Sequence, residues 1–390
     1  MKIQTNTPNM ETGSIPRLLA QLAVPAVVAQ VINLLYNIVD RIYIGHIPGI
    51  GAAALTGVGL FAPILMLLNA FAMLVGSGGA PRAAIAMGKK DNNLAEKILG
   101  NCFTLLVGLA VVLTIVFYVS TPILLRLFGA SDVTLTYASD YARIYILGSF
   151  FVLIVLGMNT FITTQGFARI SMMTTVIGAV INIILDPIFI FVLDMGIKGA
   201  AIATVISQIL SALLVFYFLH GKSELKVRWL HINEISECTR HARDIISLGS
   251  AGFIMQLTNS LVSICCNNVL SVTGGDIYIS VMTIISSVRQ MVEMPIHAIN
   301  EGTSPVLSYN YGARRPEKVK KAGDFFSLLR KVFIVVPLTY FLPYGLHMGT
   351  DGVFMVEPVS NVIGGSLCFI TMLVTILPEL NKMETTYFPE

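Results

Sequence analysis

An aspartate and an asparagine interrupt a long apolar stretch of the chain, where a carboxylate is costly unless it faces a cavity or a partner. The stretch covers residues 170–193, and within it Asn182 and Asp186 lie four residues apart, directly before Pro187. This spacing places both side chains on one helical face, and the proline leaves a backbone carbonyl without its helical donor. Such oxygens suit a proton or a small cation. The alternative is a polar packing contact between membrane helices.

A second polar stripe lies near the start of the chain, within another apolar stretch. Its members are spaced three or four residues apart and are Gln30, Asn33, Asn37 and Asp40, with Tyr36 beside them. Residues at this spacing share one helix face, so we predict that Gln30, Asn33, Tyr36 and Asn37 line a substrate cavity. Two interpretations of Asp40 remain: it belongs to the same cavity, or it caps the end of the helix next to Arg41.

The composition is that of a membrane protein built from helices. Hydrophobic residues make up 55% of the 390 residues and charged residues 12%, whereas soluble domains are about a quarter charged. The five cysteines lack the spacing of a metal site. The sequence contains no nucleotide-binding motif, haem motif or nucleophile–base arrangement. We therefore expect no enzyme, no cofactor, no metal centre and no nucleic-acid partner, and transport would draw on an ion gradient.

Ten apolar segments are long enough to cross a membrane as helices. They lie near residues 15–44, 53–76, 94–120, 135–165, 170–193, 199–219, 243–272, 277–308, 325–344 and 350–377. The longest polar stretch, residues 221–244, follows the sixth segment. We therefore predict an all-α polytopic membrane protein. Its first lobe contains six helices (residues 1–220), and a linker (221–244) joins it to a second lobe of about four helices (245–390).

Basic residues are concentrated in alternate connections between these segments. The richest groups are Arg82 with Lys89, Lys90 and Lys97, then Arg169, the linker, and Arg314 with Arg315, Lys318, Lys320 and Lys321. Because basic loops stay on the cytoplasmic side, we expect a multi-pass protein of the cell inner membrane with both termini and the linker cytoplasmic. No cleavable signal is recognisable before the first segment.

The second half of the chain repeats the first. Gly78-Gly79-Ala80-Pro81 recurs as Gly302-Thr303-Ser304-Pro305 at an offset of 224 residues, and Gln30 and Asn33 recur as Gln256 and Asn259. The copies are unequal, because residues 97–169 contain two apolar segments whereas the matching residues 321–330 contain almost none. We therefore predict two bundles related by a parallel repeat, as in transporters, with two helices missing from the second.

Several motifs resemble those of one transporter family. They are Tyr36-Asn37-Ile38-Val39-Asp40, Glu293-Met294-Pro295, Ser308-Tyr309-Asn310-Tyr311-Gly312-Ala313 and Val356-Glu357-Pro358. Together with the repeat they resemble the multidrug and toxin extrusion (MATE) family, and among its members the bacterial multidrug exporters. The resemblance implies twelve helices in two lobes of six that open alternately to either side of the membrane. This chain departs from that pattern because the counterparts of the ninth and tenth helices are missing.

The resemblance also assigns residues to a site in the first lobe. The positions that match the family's cation-responsive site are Asp40, Asn159, Asn182, Asp186 and Thr204. It implies a coupling ion, either H⁺ or Na⁺; the sequence does not choose between them, and a Na⁺ ion would bind at Asp40 and Asp186. Glu293 resembles a family carboxylate that handles cations or cationic drugs, and together with Gln256 it extends the predicted substrate cavity.

These observations predict a multidrug efflux antiporter that exports lipophilic or cationic compounds in exchange for H⁺ or Na⁺ by alternating access of two lobes. Its expected partners are small-molecule drugs and toxins and membrane lipids, and we expect a monomer. A lipid-linked oligosaccharide flippase is one alternative, to which only the intramembrane Arg289 points. A degenerate membrane scaffold without transport is the other, because two helices are missing from the second lobe.

Overall fold

The computed structural model describes residues 14–221, 223–227 and 235–319, except for the side chains of 235–241, 267, 271, 273–276, 280 and 286–300. The helices are α1 (Ile15–Gly45), α2 (Gly51–Gly88), α3 (Asn92–Leu127), α4 (Asp132–Thr164), α5 (Ala168–Pro187), α6 (Gly196–Gly221) and α7 (Ile235–Gly312). Seven helical stretches within the described residues are long and apolar enough to cross a membrane. The predicted all-α polytopic class is confirmed, and the last two predicted segments lie outside the described residues.

Helix α7 folds back on itself beside α2. Its 78 residues would extend about 117 Å as a straight helix, nearly four times the thickness of a bilayer core. Its backbone meets Gly78 of α2 at Ile245, and Ser260 donates to the carbonyl of Pro63 at 3.0 Å. Its last turn instead meets the end of α2 at Gly88. The two arms of α7 therefore run antiparallel and match the seventh and eighth predicted segments.

The helices alternate in direction, so their ends form two groups. One group contains the start of α1, the ends of α2 and α6 and both ends of the folded α7. We call it the basic end, because its connections carry Lys89, Lys90, Arg169, Arg314 and Arg315. The other group, called the opposite end, contains the end of α1, the start of α2 and the turn of α7.

Small residues allow the helices of the first lobe to approach closely. Gly57 of α2 faces the backbone of Ala138 in α4. Nineteen residues further along both helices, Gly76 faces Gly157. Side chains of this size let helix backbones pack against each other, which is the main source of association in lipid. Helices α2 and α4 therefore form the centre of the bundle, and Phe61 and Phe161 are fully buried there.

Helix α5 changes its geometry directly after its acidic residue. Pro187 is its last α-helical residue, and a wider π-helical turn follows at Ile188–Val192. The Leu193 N–H donates to the carbonyl of Ile188 at 2.9 Å, five residues back. Such π-turns are frequent at functional sites. Asp186 thus sits where the regular hydrogen-bond ladder ends.

Candidate functional site

Two buried carboxyl groups face each other between α1 and α5. The side chains of Asp40 and Asp186 are 7% and 0% exposed, respectively, and their carboxyl groups lie within hydrogen-bonding range of each other. Two carboxyl groups can form a hydrogen bond only if one of them carries a proton, because an ionised carboxylate only accepts. The pair can therefore hold a proton between the two helices.

An asparagine and a threonine complete this cluster from α5 and α6. The Asn182 Nδ2 group donates to Asp186 Oδ1 at 3.1 Å and contacts Thr204 Oγ1 at 3.4 Å. Thr204 donates its own hydroxyl proton to the carbonyl of Ala200 at 3.0 Å, so its oxygen is left to accept from Asn182. These bonds fix the orientation of the Asn182 amide, so its Oδ1 atom points away from Asp186 Oδ1 and Thr204 Oγ1, to which its Nδ2 group donates.

Three oxygens of the cluster receive no hydrogen bond from any N–H or O–H group in the described part of the chain. They are Asp40 Oδ1, Asn182 Oδ1 and Asp186 Oδ2, all buried. A buried oxygen without a donor is costly, and carboxylate and amide oxygens are ligands that hard cations prefer. The chemistry of these oxygens would suit a proton or a Na⁺ ion. Among the described residues, no group of three or more His, Cys, Asp and Glu side chains comes together.

Asn159 lies near this cluster but does not contact its carboxylates. Its Oδ1 atom accepts a hydrogen bond from the Thr174 hydroxyl at 3.1 Å. Thr174 precedes Asn182 by eight residues on α5, a distance of about 12 Å along the helix. Four of the five residues predicted for the cation site, Asp40, Asn182, Asp186 and Thr204, are therefore brought together, while Asn159 joins α4 to α5 about two turns away.

The structure also settles how Asp40 is placed in α1. The helix continues for five residues beyond Asp40 and ends at Gly45, and the Asp40 side chain is buried. It therefore does not cap the helix end, which was one interpretation of the sequence. Its neighbour Arg41 reaches across to α7 and donates from Nη1 to the carbonyl of Thr283 at 2.9 Å. The acidic cluster is thus one residue away from a contact with the second half of the chain.

Three packed aromatic rings that the sequence interpretation missed, from α2 and α4, lie near the cluster. The Phe61 ring lies 5.6 Å from Tyr141 and 5.4 Å from Tyr145, centroid to centroid, and the two tyrosines stack at 6.0 Å. Both tyrosines and Tyr36 are close enough to interact electrostatically with Asp40. The four-residue spacing of Tyr141 and Tyr145 is a signal that could have indicated one shared face.

The predicted cavity residues are partly exposed, as a lining requires. Gln30, Asn33, Tyr36, Asn37 and Gln256 all have intermediate exposure. On α7, Asn259 donates to Gln256 Oε1 at 3.2 Å, and Gln256 contacts the Met73 sulfur at 3.6 Å. The side chains of Glu293 and Arg289 lie outside the described residues, as does Glu357.

A further carboxylate, which the sequence interpretation missed, contacts one of these predicted cavity residues. The Gln30 Nε2 atom contacts Glu301 Oε1 at 3.5 Å, which connects α1 to the second arm of α7. Glu301 stands immediately before the repeated motif that begins at Gly302, where the first copy has Ser77. That substitution of a serine by an acid is the signal in the sequence that could have singled it out.

Comparison with known proteins gives consistent results for sequence and structure. The sequence pattern of the MatE family matches residues 25–188 and 252–364, and the second matched segment is the shorter. The multidrug export protein MepA of Staphylococcus haemolyticus is 26% identical over 375 residues, which cover 96% of this chain and 81% of that protein.

Solved structures of similar shape include two membrane transporters. The MATE multidrug transporter DinF-BH, solved with a ligand bound, has a TM-score of 0.76 and 32% identity over 88% of this chain and 76% of its own. A multidrug resistance MATE family transporter in an outward-facing conformation has a TM-score of 0.77 and 25% identity, over 92% of this chain and 80% of its own. Both are membrane transporters of the kind that the motifs indicated.

Proposed function

This chain belongs to the MatE family of membrane transporters, and we propose that it exports lipophilic or cationic compounds in exchange for H⁺ or Na⁺. Multidrug export is the activity named for its relative MepA, and DinF-BH is a multidrug transporter that was solved in complex with a ligand. The observation that carries the antiport part is the buried pair Asp40 and Asp186, whose carboxyl groups face each other. We propose transport rather than enzymatic catalysis.

The proposed coupling follows from the position of the two carboxyl groups, which lie on two different helices, α1 and α5. Two ionised carboxylates repel each other in a buried site, and a proton or a Na⁺ ion removes that repulsion. Loading therefore favours the arrangement in which α1 and α5 are close together. Since a ligand shifts an equilibrium only by its different affinities for the two states, the empty site must favour a more open arrangement. We propose that this movement of α1 reaches the second half of the chain through Arg41 and Thr283.

The second lobe is proposed to be shorter than that of twelve-helix relatives, with the counterparts of the ninth and tenth helices missing between residues 321 and 330. The supporting observations are the unequal repeats and the coverage of about four fifths of MepA. Polar side chains that the missing helices would cover must meet lipid, which is costly, or pack against another surface. We therefore propose that the chain has a second lobe with an open side.

Efflux from a drug-susceptible host tests both proposals. We expect cells that express the chain to extrude ethidium more slowly than cells that express MepA at the same level, and extrusion to stop when the coupling gradient is removed. Collapsing the proton gradient and omitting Na⁺ in separate experiments identify the ion. Efflux that persists without both gradients would contradict antiport, and efflux equal to that of MepA would contradict an open second lobe.

The proposed orientation is tested by accessibility. We expect both termini and the linker to be cytoplasmic, because the basic end carries most of the Lys and Arg residues of the loops. Single cysteines at residues 10, 232 and 385 in a cysteine-free background should react with a membrane-permeant maleimide in whole cells and not with an impermeant one. Labelling of residue 232 from outside would refute the charge argument.

A further inference from the structure

Glu301 stands directly beside an apolar seal at the basic end. Leu18, Leu19 and Leu22 of α1 form one buried cluster with Val306 of α7. On the side of that cluster away from the basic end, Gly302 lies so close to the Ala23 backbone that a side chain at this position would clash. Glu301 is the next residue away from the seal, and its exposed side chain contacts Gln30 of the polar stripe. Among the described side chains of α1 and of the second arm of α7, it is the first carboxylate beyond the seal.

The internal repeat shows that a carboxylate is present at this position in only one of the two copies. Gln30 corresponds to Gln256, and Glu301 corresponds to Ser77. The structure packs the corresponding helices together as well, with Gln256 on Met73 and Gly252 beside the Ser77 hydroxyl. Equivalent helices therefore pack together twice, once beside the neutral Ser77 and once beside the carboxylate of Glu301. The charge is not required for the packing itself.

The contacts of Glu301 leave its charge available to a ligand. Within the described residues its polar partner is Gln30, at a long 3.5 Å, and no described Lys, Arg or His forms an ion pair with it. A carboxylate at membrane depth without a cationic partner is expensive and marks a functional position. A neutral amide hydrogen bond of that length is weak, so an ammonium or phosphonium group could displace it.

We propose that Glu301 binds the positive charge of the exported compound and so determines a preference for lipophilic cations. This inference rests on the proposed export function, because it places the cargo in the cavity lined by the α1 stripe. The cargo's apolar part would lie against the seal residues, and its charge would lie beside Glu301. The acidic cluster of Asp40 and Asp186 lies further along α1, ten residues beyond Gln30, and remains free to hold the coupling ion.

Binding to the purified protein tests the inference without requiring transport. Methyltriphenylphosphonium and triphenylphosphine oxide have nearly the same shape, but only the first is charged. For Glu301→Gln we expect the Kd of the phosphonium to rise about tenfold, as one partly screened charge pair predicts. We expect the Kd of the phosphine oxide to change less than about twofold, because the amide keeps the shape. Asp132→Asn, which removes an exposed carboxylate next to Arg126, should change neither value.

Equal changes for both probes, or no change for the phosphonium, would overturn the inference. If Glu301→Gln is not recovered as folded protein, Glu301→Asp is measured in its place. Because aspartate keeps the charge, the ratio of the two Kd values should stay within about threefold of its value in the unmodified chain. Loss of that ratio would also overturn the inference. Charge-selective binding without gradient-driven transport would contradict the proposed function alone, whereas transport with unchanged binding in Glu301→Gln would contradict the inference alone.

Discussion

Replacing Asp186 with asparagine should reduce ion-driven export by this chain to the uncoupled background, a loss of about 10- to 100-fold. The amide has the shape of the carboxyl group but can neither bind a proton nor repel Asp40 when the site is empty. Asn182 can still donate to the amide oxygen, so the hydrogen bonds to α6 need not change. The measurement is initial efflux rate per folded protein in the membrane, at equal expression.

Asp194, eight residues after Asp186 in the sequence, provides a matched control. It follows α5 by a few residues, is exposed, and adopts a positive φ of 50°, a conformation that asparagine tolerates well. Asp194→Asn also removes one negative charge, and it should transport like the unmodified chain. Normal gradient dependence in Asp186→Asn would show that the buried pair only packs helices together. Absence of the variant from the membrane would assign Asp186 a structural role.

Replacing Gly249 with leucine should have the largest effect on stability. A Cβ atom at Gly249 would overlap the carbonyl group of Leu74, so the first arm of α7 could no longer lie against α2. Because the obstacle is backbone and not a movable side chain, we expect a destabilisation of about 3 kcal/mol or more. The measurements are the yield of folded protein from the membrane and its thermal unfolding temperature in detergent.

Gly108→Leu is the matched control for this change. Gly108 lies on an exposed face of α3, and among the described residues no neighbouring atom lies within 4 Å of the position that a Cβ atom would take. Leucine there should therefore face lipid without cost. Both variants add the same apolar side chain to a membrane helix, and they differ only in what that side chain meets. Equal yield and equal unfolding temperature for the two variants would contradict the close α2–α7 contact.

The α5 part of the acidic cluster was predictable because its signals were local, whereas Asp40 and Thr204 were assigned to the cluster by the family resemblance. Asn182 and Asp186 share a helical face by spacing alone, and their apolar surroundings required a partner. The partner on α1 was harder to identify, since a carboxylate near the end of a span is equally compatible with a cap. That question depends on where α1 ends, and helix ends are the least certain feature of a sequence-based prediction. The structure places the end five residues beyond Asp40.

The features that the sequence interpretation missed depend on contacts between distant segments. The four-residue spacing of Tyr141 and Tyr145 places them on one helix face, but it does not show that this face lies near Asp40 on another helix. The position of Glu301 beside the polar stripe is known only from its contact with Gln30, which is 271 residues away in the sequence. Asn159 was placed in the cation site by resemblance, and the hydrogen bond from Thr174 holds it about two turns lower.

Transport by the purified chain in proteoliposomes tests the central claim most directly. A proton or a Na⁺ gradient is imposed separately across the membrane, and ethidium movement against its own gradient is recorded for the unmodified chain, Asp40→Asn and Asp186→Asn. We expect one of the two gradients to drive ethidium uphill through the unmodified chain, and neither gradient to do so through the two variants. Uphill transport by both variants at the unmodified rate would contradict a coupling site at Asp40 and Asp186.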